Sequence, residues 1–122
     1  ICGPVAGATT SLHTYFGDAG PIIPFLKSLP VDCIGIDATE TSLADIVKHN
    51  YAEKEIALGL LDARSTGLEN RGDLVQQLQA VAEKTHPEKL FITPNAGTEY
   101  RGFTVGTTKL ELLAEIRRRL YE

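Results

Sequence analysis

Methionine is absent from this chain, and cysteine appears only twice. A sequence that opens on Ile1 and carries no methionine anywhere reads as a fragment, a processed chain or a trimmed piece, not as a primary translation product. Cys2 and Cys33 are too few for a disulfide framework and lack the CxxC spacing of a metal site, so a reducing, cytoplasmic compartment is expected. No apolar run approaches the roughly 20 residues needed to cross a bilayer, and no signal peptide opens the chain, so no membrane partner is expected. Basic residues are outnumbered: 12 Lys and Arg stand against 16 Asp and Glu, a formal net charge of -4 that gives no electrostatic pull toward nucleic acid. The one dense basic run, Arg117-Arg118-Arg119, suits the last turn of a helix, where cations favour the negative end of the dipole.

Familiar catalytic signatures are missing as well. "GTTKLE" matches only the tail of a phosphate-binding P-loop, and "GDAGP" after the first strand does not fit the glycine fingerprint of dinucleotide binding. His13, His49 and His86 stand apart from one another, the first within a strand and the others at helix ends. Neither serine nor cysteine occupies a nucleophile elbow.

What is present fits one α/β domain. With 122 residues, 43% hydrophobic and 23% charged, the chain has one core and buries roughly 65% of its unfolded surface on folding. Short apolar runs starting near residues 11, 33, 55 and 89 alternate with helical periodicity. "SLHTYF" is the first expected strand; "PIIPFLKSL" follows as a helix with Ile22, Phe25, Leu26 and Leu29 on one stripe and Pro30 as its stop. "VDCIGIDA" is the second strand, and Ser42 with Asp45 caps a short helix. "EIALGLLDA", apolar throughout, is a strand covered on both faces. Leu74, Leu78 and Val81 mark a longer helix that ends at His86-Pro87. After "KLFITPN", the last helix is expected to open at a capping box of Thr108 and Glu111 and to bury Leu110, Leu113, Ile116 and Leu120.

Strand and helix alternating four times predict parallel (β/α) units, with residues 11–122 as the folded part and the small, turn-rich residues 1–10 as a disordered or cut-off opening segment. In parallel α/β folds ligands bind beyond the carboxyl ends of the strands. Those exits supply Tyr15 and Asp18, then Asp37, Thr39 and Glu40, then Asp62 and Arg64, and finally Asn95, Glu99 and Arg101. Asp and Asn also cap helices and build turns, but polar residues on all four exits together describe a rim.

Three stretches carry a likeness to a known family. "HTYFGDAGPIIPFLKSLPVDCIGIDATE", "ALGLLDARSTGLEN" and "LFITPNAGTEYRGF" resemble, in order and spacing, the later half of the barrel of cobalamin-independent methionine synthases, whose fold is shared with uroporphyrinogen decarboxylase. The resemblance implies the later half of a TIM (β/α)8 barrel, and its missing half would be a partner. It also implies a family activity in which a methyl group passes from a methylated folate to homocysteine held on zinc as its thiolate. Carried over residue by residue, the family's metal-binding "HTHMC" falls on "HTYFG", so Tyr15 and Gly17 replace a His and a Cys. The family's Glu ligand corresponds to Asp37, its last Cys in "NPDCG" to Ala96, and its proton-donating His to Arg64.

Glycine and alanine donate nothing to a metal, and zinc needs three or four N, S or O donors. The chain therefore resembles the family's amino-terminal, non-catalytic barrel, or stand-alone archaeal relatives of it. No metal ligand and no cofactor is expected in this chain, although the family uses zinc and methylated folate. The expected role is to help bind folate or homocysteine, with Tyr15, Asp37, Asp62, Arg64, Asn95 and Glu99 as substrate-binding residues and Arg64 paired to a substrate carboxylate. Two alternatives stand beside it: an active methyltransferase that draws on a metal or methyl donor from elsewhere, and a structural half-barrel that self-assembles.

Overall fold

The computed structural model describes residues 6–99 and 102–120. Four strands, β1 (Ser11–His13), β2 (Cys33–Asp37), β3 (Glu55–Leu61) and β4 (Leu90–Pro94), alternate with four helices, α1 (Ile23–Ser28), α2 (Leu43–Ile46), α3 (Arg71–Thr85) and α4 (Phe103–Leu120). The strands form one parallel sheet in the order β1-β2-β3-β4, so each pairs only with its neighbour in sequence. Among the described residues, no helix is long and apolar enough to cross a membrane.

The two faces of the sheet differ in kind because alternate strand residues point opposite ways. Ile34 and Ile36 of β2, Ile56, Leu58 and Leu60 of β3, and Ile92 of β4 pack with Ile23, Leu26, Ile46, Leu74, Leu78, Val81, Leu112 and Ile116 from the four helices. Each such side chain stabilises the fold by about 1.5–3 kcal/mol on burial. The opposite face carries Cys33, Gly35, Ala57 and Gly59, none of which joins this cluster. All seven residues of β3 are buried, as an apolar strand flanked on both sides requires. The outer strands are more open: all of β1 is exposed, and Phe91 of β4 faces solvent.

Local signals explain most boundaries. The Ser42 hydroxyl accepts the Asp45 backbone N–H at 3.1 Å and caps α2 as its sequence indicates. Asn70 caps α3 in the same way. His86 takes a left-handed conformation, φ 45°, and ends α3 by donating its N–H to the Ala82 carbonyl. Thr10, in the expected opening segment, binds the Asp32 carboxylate through both its N–H and its hydroxyl, at 2.7 and 2.9 Å. Cys2 lies outside the described residues.

Three elements depart from the sequence reading. β1 stops at His13 and not at Phe16, which adopts a positive φ of 56°. The first helical stripe holds only in part: Leu26 is buried and Leu29 packs against the core, but Gly20–Ile22 form a 3-10 turn before α1, so Ile22 and Phe25 are exposed and Ile23 is buried. A 3-10 turn advances three residues per turn and rotates the later stripe away from the 3.6-residue count. α4 starts at Phe103, five residues before the expected capping box. The Thr107 and Thr108 hydroxyls donate back to the Phe103 and Thr104 carbonyls, so Thr108 lies inside the helix and not at its cap. The buried stripe is Gly106, Lys109, Leu112 and Ile116; Leu110 is half exposed, and Leu113 and Leu120 only flank the core.

Candidate functional site

The carboxyl ends of β1, β2 and β4, with Ala57 and Gly59 from the middle of β3, line a cavity of about 160 Å³ whose walls include His13, Thr14, Tyr15, Gly35, Asp37 and Asn95. Its floor is low because glycine occupies two neighbouring strands there. A Cβ at Gly35 would run into the His13 ring, and one at Gly59 would meet the Asn95 backbone. The small face of the sheet thus lets side chains from the exits fold over it.

Asp37, the last residue of β2, is 2% exposed. Its Oδ1 accepts the Thr39 N–H at 3.0 Å and the Thr39 hydroxyl at 2.6 Å, an Asx turn that fixes the carboxylate at the strand end. Asn95 follows β4 and is equally buried. Its Nδ2 donates to Thr39 Oγ1 at 2.9 Å and to Asp62 Oδ1 at 3.2 Å, while its Oδ1 accepts the Ala63 N–H at 2.9 Å. One amide therefore joins the exits of β2, β3 and β4.

Arg64 makes a second bridge. Its Nε lies 3.3 Å from Asp62 Oδ1, and its Nη2 donates to Glu40 Oε1 at 2.8 Å and Thr39 Oγ1 at 3.2 Å, with Asp37 Oδ2 at 3.8 Å. The guanidinium also stacks over the Phe16 ring, 5.2 Å from its centroid, which brings in the exit of β1. Phe16 holds its left-handed backbone at a cost of about 1–2 kcal/mol, and that conformation presents the ring to Arg64.

Among the described residues, every buried side-chain nitrogen and oxygen has a hydrogen-bond partner. A satisfied network of this kind holds its members in one arrangement. Asp62, Glu40 and Asp37 surround the single guanidinium, so the cluster is acid-rich.

Burial by itself would raise the Asp62 carboxyl. The Arg64 backbone N–H, the Arg64 guanidinium and the Asn95 amide outweigh it and hold the group below the ordinary aspartate value of 3.8. A carboxylate with a lower pKa in the folded than in the unfolded chain contributes stability above the unfolded value, and that contribution is lost as pH falls through the folded value. Asp62→Asn is therefore expected to reduce the loss of stability on acidification below 3.8, read as the shift of the urea midpoint between about pH 7 and about pH 3. Asp32 and Asp45, held down by Thr10 and Lys48, keep part of the acid sensitivity in the variant.

The residues expected from sequence separate into two groups. Asp37, Asp62, Arg64 and Asn95 meet in one network. Tyr15 lines the cavity and, with Glu99, Phe16 and Arg64, a neighbouring depression of about 500 Å³. Asp18 is occupied elsewhere, accepting the Gly20 N–H at 2.8 Å in the turn before α1. Arg101 lies outside the described residues.

Three contributors were not singled out. His13 packs over Gly35 and lines the cavity, Phe16 stacks on Arg64, and Lys109 of α4 reaches the third exit from beneath. Lys109 was legible only as a charge on an apolar stripe, and that stripe was hidden by the misplaced helix start.

The donor set at the aligned metal positions does not fit zinc. Gly17 and Ala96, which the resemblance sets at metal positions, carry no donor side chain, and among the described residues no three His, Cys, Asp or Glu side chains come together as a metal site.

Comparisons with known proteins bear on what such a rim does. A family model described as "Cobalamin-independent synthase, Catalytic domain" matches residues 2–118. The 5-methyltetrahydropteroyltriglutamate--homocysteine methyltransferases of Streptococcus sanguinis (strain SK36) and Streptococcus gordonii are each 26% identical to the chain over 110 residues. The protein of that name from Lactococcus lactis subsp. lactis (strain IL1403) is 25% identical over 113 residues. These alignments take in 87% of this chain for the first two and 89% for the third, and the chain spans about 15% of the length of each relative.

Proposed function

Because the chain belongs to the cobalamin-independent synthase catalytic-domain family, we propose that it is the later half of a (β/α)8 barrel whose strand-exit rim helps to bind homocysteine or a methylated folate in methionine biosynthesis. The single winding of the sheet supports the barrel: helices cover one face, the other is small-residued, and among the described residues β1 and β4 have no partner strand on their outer edges, where a second half would pair.

The observation that carries the functional reading is the reach of Arg64 across two exits, beside the depression that it lines with Tyr15, Phe16 and Glu99. Homocysteine is a zwitterion, and its carboxylate would take the Arg64 fork in place of the exposed Glu40, while Asp37 and Asp62 would receive its ammonium group. Tyr15, Asn95 and Glu99 would shape the remaining wall. In this reading activation of the sulfur occurs elsewhere, on a partner domain or subunit. A thiol becomes a nucleophile at neutral pH by metal coordination or a depressed pKa, and the aligned positions here offer Tyr15, Gly17 and Ala96.

Isothermal titration of homocysteine and of a folate polyglutamate into the chain, with and without the complementary half-barrel, tests the proposal. Binding that Arg64→Leu weakens about tenfold or more is the expected result. No heat from either compound, even with the other half present, would count against it. Stoichiometric zinc in the full-length protein would instead favour an active methyltransferase.

The two open edges favour a second reading, in which two copies close a barrel on each other. Light scattering that gave a well-behaved monomer would remove that reading.

A further inference from the structure

We infer that the pair of buried Lys109 and half-buried Glu69 is a positioning device that sets the direction of the Arg64 guanidinium and thereby the ligand preference of the rim, although neither residue lines the cavity. Lys109 is 1% exposed. Its ammonium group donates to the Asp62 carbonyl at 2.9 Å and to the two Glu69 carboxylate oxygens at 3.0 and 3.2 Å. Glu69 Oε1 in turn accepts the Asp62 backbone N–H at 2.8 Å. The main chain of Asp62 is therefore held on both sides, at its N–H and at its C=O, where β3 leaves the sheet.

With that backbone fixed, the Asp62 side chain starts from one point at the strand exit, and its own hydrogen bonds settle the carboxylate. There its Oδ1 accepts the Arg64 N–H at 2.9 Å, the Arg64 Nε at 3.3 Å and the Asn95 amide at 3.2 Å. Arg64 then extends to Glu40 and Thr39 on the β2 exit. The sequence of contacts runs from α4 through β3 to β2, and each link is a hydrogen bond or an ion pair.

Stability alone does not call for a charge at this place. Buried ion pairs are often matched or bettered by apolar side chains of similar volume, and α4 already anchors itself through Leu112 and Ile116. What an apolar residue would not do is hold the Asp62 peptide and so aim Arg64.

The test uses the full chain and reads the Arg64 Nε–H by nitrogen-15 NMR without any ligand. In Lys109→Met the signal is expected to move toward that of a free arginine side chain, and its exchange with water to quicken about tenfold or more. Glu69→Gln keeps an acceptor for the Asp62 N–H and should give a smaller change in the same direction. Lys89→Met is the control: it removes the Lys89–Glu55 pair at the opposite end of β3 and should leave the Arg64 signal in place.

An unchanged Arg64 signal in folded Lys109→Met overturns the inference, as does an equal change in Lys89→Met. Failure of both Lys109→Met and Glu69→Gln to fold also overturns it, since the pair would then hold the fold and not the rim. The ligand preference rests on the function proposed above, where Lys109→Met should weaken homocysteine binding roughly tenfold. If the Arg64 signal responds while homocysteine does not bind the unaltered chain, only that function fails.

Discussion

Replacing Asn95 with leucine is expected to lower the unfolding free energy by about 3 kcal/mol, read from the urea midpoint at neutral pH. The side chain is 3% exposed; leucine keeps its branched skeleton but is bulkier, so overpacking adds to the polar loss. Leucine removes the donors to Thr39 Oγ1 and Asp62 Oδ1 and the acceptor of the Ala63 N–H in one step. Asp62 then keeps Arg64 as its remaining side-chain donor in the cluster. Asn95→Asp separates charge from shape: it sets a second carboxylate where the amide nitrogen stood, 3.2 Å from Asp62 Oδ1. Like charges at that distance raise one of the two pKa values, so this variant should regain stability relative to the unaltered chain as pH falls. A leucine variant within about 0.5 kcal/mol of the original would show that Asn95 does not join the exits.

Gly59→Ala is expected to cost about 2–3 kcal/mol and to lower the melting temperature by roughly 10 °C or more. The added Cβ would lie 2.8 Å from the Asn95 Cα, and a backbone atom cannot rotate aside as a side chain can. The strain must move the start of the β4 exit, so the same change should disturb the Asn95 amide. Gly35→Ala is the informative partner. Its obstacle is the His13 ring, which can swing away, so its loss of stability should be smaller while the cavity changes shape. Thermal unfolding of the two variants side by side checks the order. Gly35→Ala as the more damaging change would show that the His13 ring is locked.

The order of elements was legible because hydrophobic periodicity switches cleanly between β3, with seven buried residues, and α3, with Leu74, Leu78 and Val81 on one face. Caps placed Ser42 correctly for the same reason: the hydroxyl and the Asp45 N–H are neighbours in sequence. α4 was misread because "FTVGTTK" combines β-branched residues with glycine, weak helix formers that the tertiary setting overrides. The candidate rim was legible in part of its membership and illegible in its wiring. Asp37, Asp62, Arg64 and Asn95 could be collected from strand ends, but nothing local says that Asn95 reaches Thr39 or that Arg64 lies on Phe16. Lys109 escaped notice because a lysine on a helix reads as solvated, and only the distant Glu69 and Asp62 make it otherwise.

The pairing of each strand with its immediate successor, Ser11 with Cys33, Cys33 with Glu55 and Ile56 with Leu90, has a kinetic consequence. Each new strand closes a loop of 22, 22 or 34 residues by that pairing, and closure entropy grows slowly with length, so assembly can proceed by accretion, one β/α unit docking on the last. In the barrel proposed above, the slowest step would fall to the junction at the outer edges of β1 and β4, the strands farthest apart in this chain.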